Sequence, residues 1–275
     1  MNRIVKFYNY KESLYYNDIN FVKNKIKTNK LYNENQKKIL DYSAKFAKLN
    51  KQSKVLEIGC GFALHRNIHP KYIGLDKNPI ILKVTKKLYK KKLNLIVADA
   101  TKIPIKKDRI DFIFSFATLE HIERPDLALN EIDRVLKKES VLLLVPAWNC
   151  RKYTVQKLEF RKYKDLSIIL KISKFFIPLQ NNFLFRGILK LPSRIYDEFM
   201  YLIKNKVKFR YTRLYPSYQL WNKYPSITDD NAVASMDAHS AILFFITRGY
   251  ECISHKSFIQ RFFCRGSFVL LKKIY

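Results

Sequence analysis

The stretch VLEIGCGFALH, residues 55–65, sets an apolar run against two glycines one residue apart, with Glu57 just before them. A run of that kind reads as a buried strand that ends in a tight turn. Gly59 and Gly61 carry no Cβ, so the chain can turn sharply there and a ligand can approach the backbone closely. A helix beginning near Phe62 would aim its free N–H groups and the positive end of its dipole at the same place. A Gly-x-Gly pair occurs in many turns, so its surroundings decide the reading.

Outward from this stretch the chain alternates. KVLEIG (54–59), YIGLD (72–76), NLIVAD (94–99), IDFIFSF (110–116) and SVLLLVPAW (140–148) read as buried strands. Between them 79–92 and 125–138 have helical spacing, the second opening on Pro125 and burying Leu127, Leu129, Ile132, Val135 and Leu136. This alternation predicts an α/β, doubly wound, mostly parallel sheet covered on both faces. After a break, 238–255 reads as a helix ending at Gly249 and then a strand, and GSFVLLKKIY as a last strand, the pair returning as an antiparallel edge. Seven strands result. Residues 1–50 form a helical lead-in, with Ile39, Leu40, Tyr42 and Phe46 near helical spacing and Asn33 or Asn35 as cap. The core is 51–150 with 236–275, and 151–235 is inserted between its two parts.

The bulk numbers bound the class. At 275 residues with 48% hydrophobic content the chain can bury a sizeable core. No stretch approaches the ~18 apolar residues of a membrane span, and the N-terminus lacks a secretory signal. Cys60, Cys150, Cys252 and Cys264 form no C-x-x-C pair, and the histidines are scattered. The expectation is a cytoplasmic protein without disulfides or metal. The net charge of +30 draws phosphate, anionic lipid or acidic glycan, or simply reflects a lysine-rich composition on a solvated surface.

Three strands end on acids: Glu57 within the first, Asp76 closing the second and Asp99 closing the third. In an open α/β sheet, ligands bind beyond the carboxyl ends of the strands. A carboxylate in the place of Asp76 can accept hydrogen bonds from both ribose hydroxyls, and Asp99 with the Ala100 backbone can address an adenine edge. Negative charge crowded at one sheet edge suits a cationic, hydroxyl-rich ligand better than a pyrophosphate. The full G-x-G-x-x-G of a dinucleotide site is missing too, because Ala63 and Leu64 follow the glycine pair.

VLEIGCGFA, YIGLD, VADATKIPIKKDRIDFIFSFATLEHI and LKKESVLLLVPAW resemble the successive motifs of class I S-adenosylmethionine-dependent methyltransferases, in particular the type 11-like small-molecule branch whose fourth strand runs into LEH. The resemblance covers 54–148 and implies a Rossmann-like sheet with S-adenosylmethionine as cofactor. It implies that Glu57, Gly59, Cys60 and Gly61 line the methionine moiety, that Asp76 binds the ribose and that Asp99 with Ala100 binds the adenine. Phe116 would flank the cofactor. Ala63 departs from relatives that carry a third glycine. DDNAVASMDAHSAILFFITRGYECISH (229–255) resembles methyltransferases of bacterial surface-glycan synthesis less specifically.

A hydroxyl acceptor must lose a proton, and His121 in LEHIERP is the candidate base or a brace for the loop. Glu120 orients His121, contacts substrate or faces solvent. Trp148 and Asn149, beyond the fifth strand, lie on the acceptor side, where Trp148 either stacks on a ring or closes the core. His65 and His69 read as surface or loop residues. The insertion reads as a lid that selects the acceptor, and 151–223 holds 17 basic and 4 acidic residues. Within it 162–180, read as a helix, is apolar over most of its circumference, which fits a lid core, a homodimer interface or a membrane surface. The acceptor is read as a small molecule or glycan, first a sugar hydroxyl in surface-polysaccharide synthesis, with a lipid-linked form included. A quinone or other prenylated molecule comes next. An RNA-binding protein is the reading from another class, but neither a recognisable RNA-binding unit nor a base-stacking platform is present.

Overall fold

A computed structural model describes residues 30–275 except 90–92, 221–222, 226, 228 and 267. The part of the expected lead-in before residue 30 lies outside the described residues. Helix α1 (Lys30–Phe46) runs through Asn33 and Asn35, so neither caps it. Strands β1 (Val55–Ile58) and β2 (Tyr72–Asp76) follow, then α2 (Pro79–Tyr89), β3 (Asn94–Val97), β4 (Ile110–Phe116), α3 (Pro125–Val135) and β5 (Leu136–Val145). The 151–235 segment contributes α4 (Lys152–Val155), α5 (Ile168–Phe175), α6 (Ile177–Asn181), α7 (Phe183–Lys204), β6 (Tyr211–Arg213) and β7 (Ala234–Met236). The chain closes with α8 (Ala238–Ile246), β8 (Tyr250–Cys252), α9 (Phe258–Phe262) and β9 (Val269–Lys273).

The main sheet has seven strands in the order β3-β2-β1-β4-β5-β9-β8. Its first five are parallel, while β9 runs antiparallel to both β5 and β8. The expected doubly wound sheet with an antiparallel edge is therefore present. Side chains alternate across it. Leu56 and Ile58 join Ile113, Leu142, Leu129 and Phe245 on one face, under α3 and α8. Val55 joins Phe112, Phe114, Leu143 and Leu270 on the other, under Leu40 of α1.

Further expectations of local structure fail. The helix expected over 125–138 stops at Val135, Leu136 opens β5, and Leu127 is exposed. No helix starts near Phe62: Ala63, Arg66 and Ile68 donate their N–H groups to the carbonyls three residues earlier, giving consecutive turns. Ala63 has φ +49°, and a left-handed residue cannot continue a right-handed helix. The stretch 162–180 is not one helix either. It breaks into the short turn Tyr163–Asp165, α5 and α6, because the chain leaves α5 at Phe176 and restarts at Ile177–Pro178. Leu166 and Ile177 are buried there, but Ile168, Ile169, Ile172 and Phe175 are exposed, so the lid-core reading fails for most of the stretch. Among the described residues no helix is long and apolar enough to cross a membrane.

Candidate cofactor and acceptor site

The glycine turn is held from below by β2 and from the side by Asp76. Gly59 N and Cys60 N donate to the Leu75 carbonyl at 2.8 and 3.0 Å. Gly61 N donates to Asp76 Oδ2 at 2.9 Å, and Asn78 N donates to the other oxygen at 2.9 Å. Both glycines have positive φ, +71° and +47°. At Gly59 a Cβ would run into the Thr118 side chain, so glycine lets the end of β4 close on the end of β1. At Gly61 a Cβ would meet no heavy atom within 4 Å, which leaves this backbone open to a ligand. Burial pushes the Asp76 carboxyl above the usual carboxylate range, while the N–H donors of Asn78 and Gly61 and the charge of Lys77 pull it back.

Beyond Asp76, Ala98 N donates to the Asp76 carbonyl at 3.0 Å, which sets the end of β3 beside it. Asp99 is exposed, and its Oδ1 accepts from the N–H and hydroxyl of Thr101 at 2.8 and 2.7 Å. Ala100 is buried. The Cys60 side chain packs against Gly74 of β2, where burial raises its thiol pKa. Glu57 is only 3% exposed, and both its oxygens are engaged, one by the Tyr72 hydroxyl and one by His65 Nδ1 at 2.8 Å. It therefore stands behind the turn as an anchor for His65. That histidine is nearly buried, its ring 5.0 Å from the Phe116 ring, and its Nε2 has no hydrogen-bond partner among the described residues. Of the surface-or-loop reading of His65 and His69 the loop half stands and the surface half fails: both lie outside helices and strands, and His69 is buried with Nε2 2.9 Å from the Asn50 carbonyl oxygen.

The candidate acceptor side is built where three segments meet. After β4 the chain makes the short turn Leu119–His121. Glu120 within it accepts from Ala147 N, beyond β5, at 3.1 Å, and its carbonyl accepts from Val233 N, before β7, at 2.8 Å. Glu120 is fully buried, so the solvent reading fails, and its Oε2 has no partner among the described residues. Burial pushes its carboxyl up to about 7, with Asp229 adding to the shift. His121 Nδ1 lies 3.4 Å from the Asn231 carbonyl, which only accepts, so Nδ1 carries the proton and Nε2 the lone pair. Burial lowers its pKa to about 4 against the pull of that carbonyl, which keeps the imidazole neutral at pH 7. The charge of Lys77, next to Asp76, lowers that pKa further, and that of Asp230 raises it.

Trp148 lies in the main core cluster, nearly buried. Asn149 sits at φ +63°, donates its N–H to the Met236 carbonyl at 2.9 Å and accepts from Lys190 Nζ of α7. Sequence reading missed His65, Asn231 and Lys190. The first lies in a turn where no periodicity marks an inward face, and the other two reach the site only through the folding of 151–235.

An open α/β sheet in this order, with a glycine turn after its first strand clamped by the acid that ends the second, defines the class I methyltransferase fold. Residues 56–144 match the family model described as a methyltransferase domain. That stretch is a class I S-adenosylmethionine-dependent methyltransferase domain of the type 11 branch, whose cofactor is S-adenosylmethionine. No curated protein matches the chain. Among solved structures, an S-adenosylmethionine-dependent methyltransferase from Archaeoglobus fulgidus is 19% identical with a TM-score of 0.37, over 48% of this chain and 59% of that one. One from Aquifex aeolicus is 22% identical with a TM-score of 0.34, over 40% and 64%. DesVI of Streptomyces venezuelae is 17% identical with a TM-score of 0.36, over 42% and 51%. The chain thus spans less than two thirds of each of these proteins.

Proposed function

We propose that the chain is an S-adenosylmethionine-dependent methyltransferase acting on a small-molecule or glycan acceptor, most specifically a sugar hydroxyl in surface-polysaccharide synthesis. The observation that carries the reading is the Gly61–Asp76 clamp. It presents an open glycine backbone and a half-buried carboxylate side by side at the sheet's carboxyl edge. These residues fit the cofactor. Each Asp76 oxygen accepts one backbone N–H and keeps a second lone pair for a ribose hydroxyl. Gly59, Cys60 and Gly61 would lie along the methionine portion, Asp99 and Ala100 at the adenine, and Phe116 with His65 beside the cofactor. Glu57 would act through His65 instead of touching the ligand.

When bound, S-adenosylmethionine supplies a methyl group already activated on a sulfonium, so this chain need provide no nucleophile of its own. Its residues hold an acceptor in line, an effect worth roughly 7–11 kcal/mol in well-ordered systems. They also remove a proton. His121 supports a hydroxyl acceptor because its neutral Nε2 is a lone-pair acceptor at physiological pH. Glu120 acts as a positioning residue that ties the His121 turn to Ala147 and Val233. Asn149 and Trp148 would border the acceptor, and 151–235 would act as the lid that selects it, at the cytoplasmic side where nucleotide- and lipid-linked sugars are assembled.

The test is mass spectrometry of surface glycans from cells with and without the gene. Loss of one methylene mass from a glycan repeat on deletion supports the acceptor class. An unchanged glycan mass, with label from methyl-labelled cofactor appearing elsewhere, rejects it.

A further inference from the structure

Helix α7 is inside out. Its buried residues are Arg194, Asp197 and Glu198, all charged. Arg194 Nε and Nη2 donate to Asp237 at 2.8 and 2.7 Å, and Nη2 also donates to the Cys264 carbonyl at 3.0 Å. Asp197 pairs with Arg210 at 2.7 Å, while Glu198 holds His239 at 3.0 Å and Arg261 at 3.1 Å. Leu184, Ile188, Ile195, Phe199 and Leu202 recur with the helical period and are exposed, Leu202 by 78%, as are Leu189, Tyr196 and Ile203 across the helix from the buried three. Helix α5, which reaches α7 through α6, adds Ile168 and Ile169, each 75% exposed. A soluble helix ordinarily turns its apolar stripe to the core, and apolar surface of this extent marks a contact.

Charge selects the occupant. From Leu166 to Tyr196 the chain has four cations besides the inward Arg194 and no carboxylate, and 151–223 as a whole has 17 basic and 4 acidic residues. A second copy of this face would set cation against cation. Residues 1–29, with six basic and two acidic residues, would do the same. Apposition of like charge opposes both pairings. We propose that α5 and α7 lie on an anionic lipid surface, with their apolar side chains in the headgroup–acyl boundary and exposed lysines such as Lys171 and Lys204 meeting lipid phosphates. This docking stands independently of the activity proposed above.

The test is flotation of the full chain with phosphatidylcholine vesicles, with and without phosphatidylglycerol. The expected result is binding to the anionic vesicles that weakens at high salt. Ile188→Glu with Leu202→Glu should abolish it, and Lys171→Glu with Lys204→Glu should weaken it by about tenfold or more. All four side chains are exposed, so thermal melting should remain that of the wild type. No flotation with anionic vesicles overturns the proposal, as does flotation that both double variants retain. A dimer in equilibrium sedimentation that Leu202→Glu dissociates, without vesicle binding, assigns the face to a second copy instead.

Discussion

Helix α8 packs on the edge strands β8 and β9 and helix α7 packs on α8, and the two solve opposite problems. From Ala238 to Phe245 every residue of α8 is buried, as expected of a helix apolar all round that serves the core. In α7 the apolar residues lie outside and three charged residues lie inside, matched by Asp237, Arg210, His239 and Arg261. The core is thus held by burial of apolar area, whereas α7 is held to it by partnered charge. A buried ion pair adds little net stability when intact, yet breaking it by removing one partner is costly. Helix α7 should therefore dock in one orientation and tolerate little change on its inner face.

Four substitutions test that contrast. The largest effect is expected at the seam between the regions, where His121 of the core meets Asn231 of the 151–235 segment. His121→Ala should slow turnover about 10²–10⁴-fold while cofactor affinity by calorimetry stays unchanged. The acid limb of the wild-type rate profile should fall near pH 4, the pKa of His121. A limb near pH 7 would hand the proton to Glu120.

Next comes Arg194→Ala, which leaves Asp237 buried without its guanidinium and should cost about 3–5 kcal/mol in denaturant unfolding. Glu120→Gln follows. The folded-state pKa of Glu120 is raised from 4.5 to about 7, so its contribution to stability is complete below pH 4.5 and is lost as pH rises through about 7. The wild type should therefore fall behind Glu120→Gln by about 3 kcal/mol between those limits. Smallest is Leu202→Ala, expected within about 0.5 kcal/mol of wild type. A cost at Leu202 matching that at Arg194 would mean that α7 buries its apolar face after all, and the contrast would be lost.

The sheet was legible because its strands are short apolar runs separated by helical spacing, and Asp76 was legible because it ends one of them. The turn after Gly61 was not, since the left-handed backbone at Ala63 and the inward swing of His65 onto Glu57 leave no mark on periodicity. Periodicity in 183–204 defines two faces but does not say which one faces inward. That depends on Asp237, Arg210 and Arg261, which come later in the chain. Glu120 was misjudged for a related reason: its burial follows from Ala147 and Val233 closing over it, a contact between distant segments.

Whether the Gly61–Asp76 clamp holds S-adenosylmethionine is decided by titration calorimetry of that cofactor against wild type, Asp76→Ala and Asp76→Asn. The expected result is binding to the wild type, no detectable binding to Asp76→Ala, and weakened binding to Asp76→Asn, with all three proteins keeping the same far-ultraviolet spectrum. A wild type that does not bind, or an Asp76→Ala variant that binds as tightly as the wild type, would contradict it.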